Sequence, residues 1–178
     1  DPYNASRGFW HSHIGWIIFK DPDREKGDYS AANHLMKDPW TASLVNFQHK
    51  YYYALAALFS GIAPMAIGSL WGDPLGGLVF AGFSRLVLVW NMTFCINSLA
   101  HMKHWGSSQP YTRVNSAQDS WMVSFVTFGE GYHNYHHAFP RDYRNGPVWS
   151  NFDPSKWIIY GLSRGGVTQD LIGFPREE

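Results

Sequence analysis

The chain has 178 residues, enough for one domain with a sizeable core, and its 14 Lys and Arg balance 14 Asp and Glu. With no net field there is nothing global to recruit nucleic acid or an acidic partner, and the sole cysteine, Cys95, excludes an intrachain disulfide. Aromatic residues reach 17% and the apolar ones gather in the middle, the pattern of a membrane segment with polar regions on either side.

The sequence opens on Asp1-Pro2-Tyr3-Asn4, with neither an initiator Met nor a basic leader, and is expected to be N-terminally incomplete. Residues 9–19 (FWHSHIGWIIF) are too few to cross a bilayer, which needs about 20 helical residues, so this segment is expected to be interfacial or buried. His11 and His13 fall on different helical faces and read as hydrogen-bonded packing residues. Residues 21–50 are polar. Within them Asp38-Pro39 reads as a helix start, Asp capping and Pro taking the first position, with the helix running up to Lys50. Residues 52–71 carry no charge and qualify as a transmembrane helix with a possible kink at Pro64. Gly72-Asp73-Pro74 is a tight turn. A second apolar run, from Leu75 to about Ala100, completes a helical hairpin, although Arg85, Asn91 and Asn97 interrupt it. Cations flank the hairpin (Lys20, Arg24, Lys26, Lys37 and Lys50 before it, Lys103 and Arg113 after it), whereas its turn offers only Asp73. The positive-inside rule therefore puts both outer ends in the cytoplasm. Arg85 is an intramembrane charge whose open readings are a functional group, a side chain that snorkels, and a cap on backbone carbonyls.

Thr93, Asn97 and His101 recur every four residues and form a polar stripe near the end of the second span. Ser107 to Tyr111 reads as a loop, and Ser116-Ala-Gln-Asp119 resembles a capping box opening a helix to about Phe128. Next comes Gly129-Glu130-Gly131-Tyr132-His133-Asn134-Tyr135-His136-His137. Imidazoles at i, i+3 and i+4 share a helical face, and neutral imidazoles crowded together are nitrogen donors suited to iron, zinc or copper. With His101 on the same side of the membrane, a shared metal centre is expected. Glu130 reads either as a group orienting a ligand imidazole or as an exposed carboxylate. Phe152-Asp153-Pro154 restarts a helix through Leu162, Gly165-Gly166 breaks it, and the tail to Glu178 is expected to pack poorly. No internal repeat, phosphate-binding loop, nucleophile elbow or Cys-pair zinc motif is present.

Several motifs occur together in order: Asp1-Pro2-x-Asn4, Arg7-Gly8-Phe9, Ser12-His13-x-Gly15-Trp16, Asn97-Ser98-x-Ala100-His101, Pro110-Tyr111, the histidine segment 129–137, and Phe139-Pro140-x-Asp142-Tyr143. This set resembles the membrane fatty-acyl desaturases of the stearoyl-CoA desaturase type. The resemblance implies an all-α integral membrane protein in which residues 1–178 form the C-terminal part of one desaturase domain. Residues 1–51 would be interfacial and cytosolic, 52–101 the hairpin (two of the family's four transmembrane helices), and 102–178 a helical cytosolic cap carrying the histidines. It implies a di-iron centre that uses O2 and two electrons to insert a cis double bond into a saturated acyl chain, delivered as acyl-CoA or acyl-lipid, with Δ9 the expected position. The electron donor would be cytochrome b5, or ferredoxin with its reductase. The active site would face the cytoplasm, on the endoplasmic reticulum of a eukaryote or the inner membrane of a bacterium. His101, His133, His136 and His137 match iron ligands, and Asn97 matches an asparagine that reaches iron through water. Thr93 and Phe94 match positions at the bend of the acyl tunnel, Lys20 a contact to the CoA head group, and Glu130 and Asp142 are expected to brace the site from behind.

The family's first two histidine boxes lie upstream of Asp-Pro-x-Asn and are not among these residues, so the chain alone is expected to be inactive. The loop from His101 to Tyr111 is longer than in the animal enzymes, which leaves the electron donor and acyl carrier open. The implied chemistry suits the residues. Methylene C–H bonds resist acid–base attack and need a strongly oxidising metal centre, and nitrogen ligation by neutral imidazoles suits such a centre. A membrane di-iron hydroxylase and a non-catalytic paralogue are the rival classes.

Overall fold

The structure, a computed structural model, describes residues 4–19, 33 and 36–174. In chain order its helices are α1 (9–18), α2 (Pro39–Lys50), α3 (Tyr52–Ser69), α4 (Pro74–His101), α5 (Trp121–Val126), α6 (His133–Ala138) and α7 (Pro154–Arg164). Strands β1 (Ser107–Ser108) and β2 (Asp119–Ser120) pair antiparallel, with Ser107 opposite Ser120. The described residues are mostly helical, as expected. The chain divides into two compact units, residues 21–90 and residues 1–20 with 91–178.

In the first unit, α2 starts as its sequence dictates: Asp38 Oδ2 accepts from Thr41 N at 2.7 Å, and Pro39 occupies the first helical position. Helices α3 and α4 are both long and apolar enough to cross a membrane. Leu70 is 82% exposed and Phe80 73%, so their large side chains face outwards instead of filling a protein core. Together with the family assignment given below, this marks a membrane protein. Where the two helices meet, the contact is between backbones. A Cβ on Gly68 would lie 2.5 Å from Asp73 O and 3.0 Å from Gly77 Cα, and one on Gly82 would lie 2.5 Å from Ser60 O. The turn is locked by Asp73, which accepts from Gly76 N at 2.7 Å and so caps α4.

Pro64 leaves its mark one turn upstream. Residues Leu58–Ile62 widen into a π-helical turn in which the Ala63 N–H reaches back to Leu58 O. Phe59 O would then need the N–H of residue 64, which a proline lacks. The Arg85 guanidinium supplies the missing donor, with Nη2 3.3 Å from Phe59 O while Nε donates to Ala81 O at 2.8 Å. Of the readings of Arg85, the structure favours the carbonyl cap.

The second unit has an unusual interior. Its buried apolar side chains are few (Ala100, Ala117, Val123, Tyr132 and Tyr135), whereas Ser12, His13, Asn97, Ser98, Gln118, Ser120, Ser124, Asn134, Asp142, Asp153 and Lys156 are all withdrawn from solvent. Such a core is tolerable because most of its polar groups are paired, Ser124 Oγ and His133 Nδ1 being exceptions. His13 shows how: Nδ1 lies 3.0 Å from Ser98 Oγ, Nε2 lies 3.3 Å from Asn91 Oδ1, and Phe9 stacks on the ring. This is the hydrogen-bonded packing role expected of it. Asp153 caps α7 through Lys156 N at 3.1 Å, again as its Asp-Pro pair dictates, and Gly165 ends that helix. The wholly buried Lys156 ammonium donates to Gly146 O at 2.8 Å and Val148 O at 2.6 Å.

Three expectations about this unit are corrected. Residues 116–119 do not open a helix. Ser120 caps α5, which begins at Trp121, while Asp119 lies in β2 and accepts from Tyr135 N at 3.0 Å on α6. The polar stripe is not uniform in burial: Thr93 is exposed whereas Asn97 and His101 are buried, and α4 tightens into a 3-10 turn over Leu99–His101. The tail is packed as far as Phe174: its N–H donates to Asp142 Oδ2, its carbonyl accepts from Arg144, and its ring packs on Phe139.

Candidate metal centre

The histidine helix is short, and its position is set by the segments on either side. Phe128 and Gly129 both take positive φ, 56° and 110°, and a Cβ at Gly129 would come within 2.8 Å of Asp153 Oδ1. A Cβ at Gly131 would collide with the Ser124 backbone nitrogen of α5. The two glycines of the Gly-Glu-Gly run thus let the turn before α6 press against α5 and Asp153. Strand β2 and the residue before it, Gln118, then tie the two histidine segments together. Gln118 N donates to Ala100 O at 2.7 Å, Gln118 O accepts from His133 N at 3.2 Å, and Ser120 N donates to Gly131 O at 2.9 Å. Asn134, fully buried, pins the preceding loop. Its Oδ1 accepts from Tyr111 N and Thr112 N, and its Nδ2 donates to Thr112 O and Ala117 O.

These constraints bring His101 and His133 together although 32 residues separate them. The two Nε2 atoms are 3.1 Å apart, and His137 Nε2 is 3.1 Å from His133 Nε2. One donor nitrogen from each of the three residues lies within 4.8 Å of the others. The helical period explains the choice. Positions 133 and 137 differ by about 40° around the axis and face His101 together, whereas 136 lies about 60° to the other side. His136 accordingly stacks on His133 with ring centroids 5.9 Å apart and stays outside the cluster.

The donor set fits a metal ion. Burial, reinforced by His101, His137 and His136, pushes the His133 imidazole down to about 3. Burial also lowers that of His137, with His101 and His136 adding to it. Both are therefore held in the neutral, ligating form at physiological pH. Ser116 Oγ holds His101 Nδ1 at 3.0 Å, leaving Nε2 toward the cluster in the manner of a braced ligand. His133 Nδ1 is buried with no protein partner. Three neutral Nε2 atoms that face one another cannot all be satisfied by each other's protons, and a cation resolves the conflict.

The other expected site residues fall as follows. Asn97 is buried four positions before His101. Phe94 packs edge-on against His13 with centroids 5.4 Å apart, and Thr93 is exposed. Neither lines the apolar cavity of about 230 Å³ in this unit, whose walls are Cys95, Leu99, His104, Met122, Val123 and Val126. The Glu130 carboxylate accepts from Asn145 Nδ2 at 2.9 Å, not from an imidazole. Asp142 reaches α6 through Tyr135, whose hydroxyl donates to it at 2.6 Å, and it forms an ion pair with Arg144 at 2.7 Å. Burial alone would raise the Asp142 carboxyl, but hydrogen bonds from Arg144, Tyr135 and the Phe174 and Arg144 amides bring it down to about 2. Lys20 lies outside the described residues.

Two contributors escaped the sequence reading. Asn134 is hidden among histidines, and its long-range bonds leave no local signature. Asp119 is pushed up to about 6 by burial, against the opposing pull of the Tyr135 and Asn134 amides, and it supports the start of α6.

Comparison with known proteins places this geometry. Residues 3–148 match the family model described as fatty acid desaturase. A probable acyl-CoA desaturase of Schizosaccharomyces pombe is 45% identical, the match covering 100% of this chain and 36% of the yeast protein. Acyl-CoA desaturase 1 of Saccharomyces cerevisiae is 43% identical, with 98% and 33% covered. Stearoyl-CoA desaturase 5 of Bos taurus is 38% identical, with 96% and 50% covered. The chain thus spans between a third and a half of the length of these relatives. On the match over residues 3–148, this chain belongs to the fatty acid desaturase family.

Proposed function

We propose that this chain supplies one histidine cluster of a di-iron, O2-dependent desaturase that converts a saturated fatty-acyl chain, carried as a CoA thioester, into a cis-monounsaturated one with the Δ9 bond. The observation that carries the reading is the meeting of the His101, His133 and His137 donor nitrogens within 4.8 Å, in a chain similar to proteins named acyl-CoA desaturases. When bound, iron supplies the oxidising power to remove two hydrogens with O2 and two electrons, which cytochrome b5 or a ferredoxin system would deliver. His101, His133 and His137 hold one ion. His136, on the other flank of α6, is a candidate donor to the second, and Asn97 acts through a water. Ser116 orients His101, and Asp142 holds α6 through Tyr135. Thr93 and Phe94 shape the acyl path, the cavity bounded by Cys95 and Leu99 is apolar enough to take a hydrocarbon segment, and Lys20 meets the carrier. The cations beyond both ends of the hairpin support a cytoplasmic position for the site.

Because the chain alone is expected to be inactive, the test uses this segment joined to an upstream region that carries the other two histidine boxes. It gives membranes containing that protein stearoyl-CoA, O2 and reductant, and reads product mass beside iron per protein. A product two hydrogens lighter than substrate is expected. His133→Ala should abolish it and weaken metal retention by more than about 100-fold, since even outer partners of a ligand are worth about 10–100-fold. A product one oxygen heavier would assign a hydroxylase, and undiminished metal in His133→Ala would remove the cluster from the chemistry.

A further inference from the structure

A second recess lies in the same unit as the histidine cluster, away from its donor atoms. It has a volume of about 350 Å³ and is lined by Lys103, Ser107, Ser108, Gln109, Arg113 and Gln118. Segment 102–118, which supplies the whole lining, contains no acidic residue. Neither Lys103 nor Arg113 has an ion pair or side-chain hydrogen bond among the described residues, in contrast to Arg144, which is fully engaged by Asp142 and Phe174. Two cations facing one recess repel each other, and an anion between them removes that cost.

The frame of the recess is fixed by its own bonds. Gln109 Nε2 donates to Asn115 O and Ala117 O, both at 2.9 Å, which closes the loop on itself. Ser107 Oγ accepts from His104 N at 2.9 Å and donates to His104 O at 2.8 Å, fixing the entry turn. The Gln118 amide donates to Ser116 O. Beside the amide oxygens of Gln109 and Gln118, the groups left to receive a ligand are the Lys103 ammonium, the Arg113 fork and the Ser108 hydroxyl, each able to donate. A fork, a point cation and a hydroxyl around one concavity match the several oxygens of a phosphate better than the two of a carboxylate.

We infer that this recess is a binding site for the phosphate group of a small molecule, held between Lys103 and Arg113. Its volume exceeds that of the phosphate, so the ligand is a phosphate ester with part of its body inside the recess. A soluble phosphomonoester and the head group of an anionic lipid such as phosphatidic acid present the same chemistry. The site stands apart from the desaturase reading, because no metal and no acyl chain enters the argument. It is coupled to the metal centre by covalent continuity: Ser116, which holds His101, and Gln118, which joins Ala100 to His133, both belong to the recess loop.

The test uses the protein in phosphatidylcholine nanodiscs. Radiolabelled inorganic phosphate and glycerol 3-phosphate are titrated by equilibrium dialysis, and phosphatidic acid added to the discs is quantified after repurification. Saturable binding in at least one arm is expected, weakened tenfold or more by Lys103→Ala/Arg113→Ala. Both residues are exposed, so folding should survive the change, and an unaltered thermal unfolding midpoint verifies it. Binding in the soluble arms alone assigns a soluble ester, and binding in the phosphatidic acid arm alone assigns a lipid. Binding that is undetectable, or equal in the double variant, overturns the proposal. So does binding of an acidic polypeptide such as polyglutamate in the absence of any phosphate binding, which would make the surface a protein-docking patch.

Discussion

Around α3 and residues 74–90 the side chains in the open are Leu70, Trp71, Phe80 and Phe83, and the helices meet through Gly68, Gly77 and Gly82. Around α6 the residues hidden from solvent are His133, Asn134 and Asp142, with Asp153 and Lys156 behind them. One region turns its apolar groups out and relies on backbone proximity, while the other turns polar groups in and relies on hydrogen bonds. The contrast follows from the surroundings each is built for. Lipid offers no hydrophobic gain for sequestering a leucine, so small residues and van der Waals contact hold the hairpin. A metal centre needs fixed imidazoles, which a fluid apolar core would not orient, so a bonded polar lattice surrounds them.

The contrast can be broken most severely at Asn134. Replacing it with Ala removes four hydrogen bonds, and although Ala117 O keeps Gln109, Tyr111 N, Thr112 N and Thr112 O lose this partner; at about 1 kcal/mol each, a loss of about 3 kcal/mol is expected. Hydrogen exchange should show residues 111–117 opening first, and protection unchanged there would mean that the lattice does not hold the loop.

A smaller effect is expected at Asp142. Its folded value, about 2, lies below the unfolded carboxylate value near 3.9, so its contribution is complete above about pH 4 and is lost as pH falls through 2. In Asp142→Asn the unfolding midpoint should drop at neutral pH and lose its slope between about pH 4 and 2. A midpoint that still follows the wild-type acid curve would assign that slope elsewhere.

The smallest effect belongs to the hairpin. Arg85→Met removes two hydrogen bonds, to Phe59 O and Ala81 O, and should cost about 1–2 kcal/mol in detergent-solubilised protein while leaving metal binding untouched. A change in bound metal would tie this arginine to the site after all.

What the sequence made legible was local. Asp38-Pro39 and Asp153-Pro154 start helices because cap and cap-bonded amide are three residues apart. The pairing of His133 with His137 follows from the helical period alone. What stayed hidden was long-range or backbone-borne. Asp119 looked like the end of a capping box, but its partner is an amide 16 residues downstream. The recess loop read as a plain turn, since nothing in Ser-Ser-Gln-Pro announces that Gln109 will bond to residues 115 and 117. The tail was expected to hang free because the Arg144 fork that seizes Phe174 lies 30 residues away.

The arginine that serves Phe59 has an evolutionary corollary. Its guanidinium is needed there because position 64 cannot offer an N–H, so the two positions form a compensated couple 21 residues apart. Selection on the arginine should relax wherever the proline is replaced, because an ordinary residue at 64 restores the donor from within the helix. The order of loss is then directional. Lineages should shed the proline first and the arginine afterwards, since the reverse order passes through an ancestor with an unsatisfied carbonyl in the bilayer.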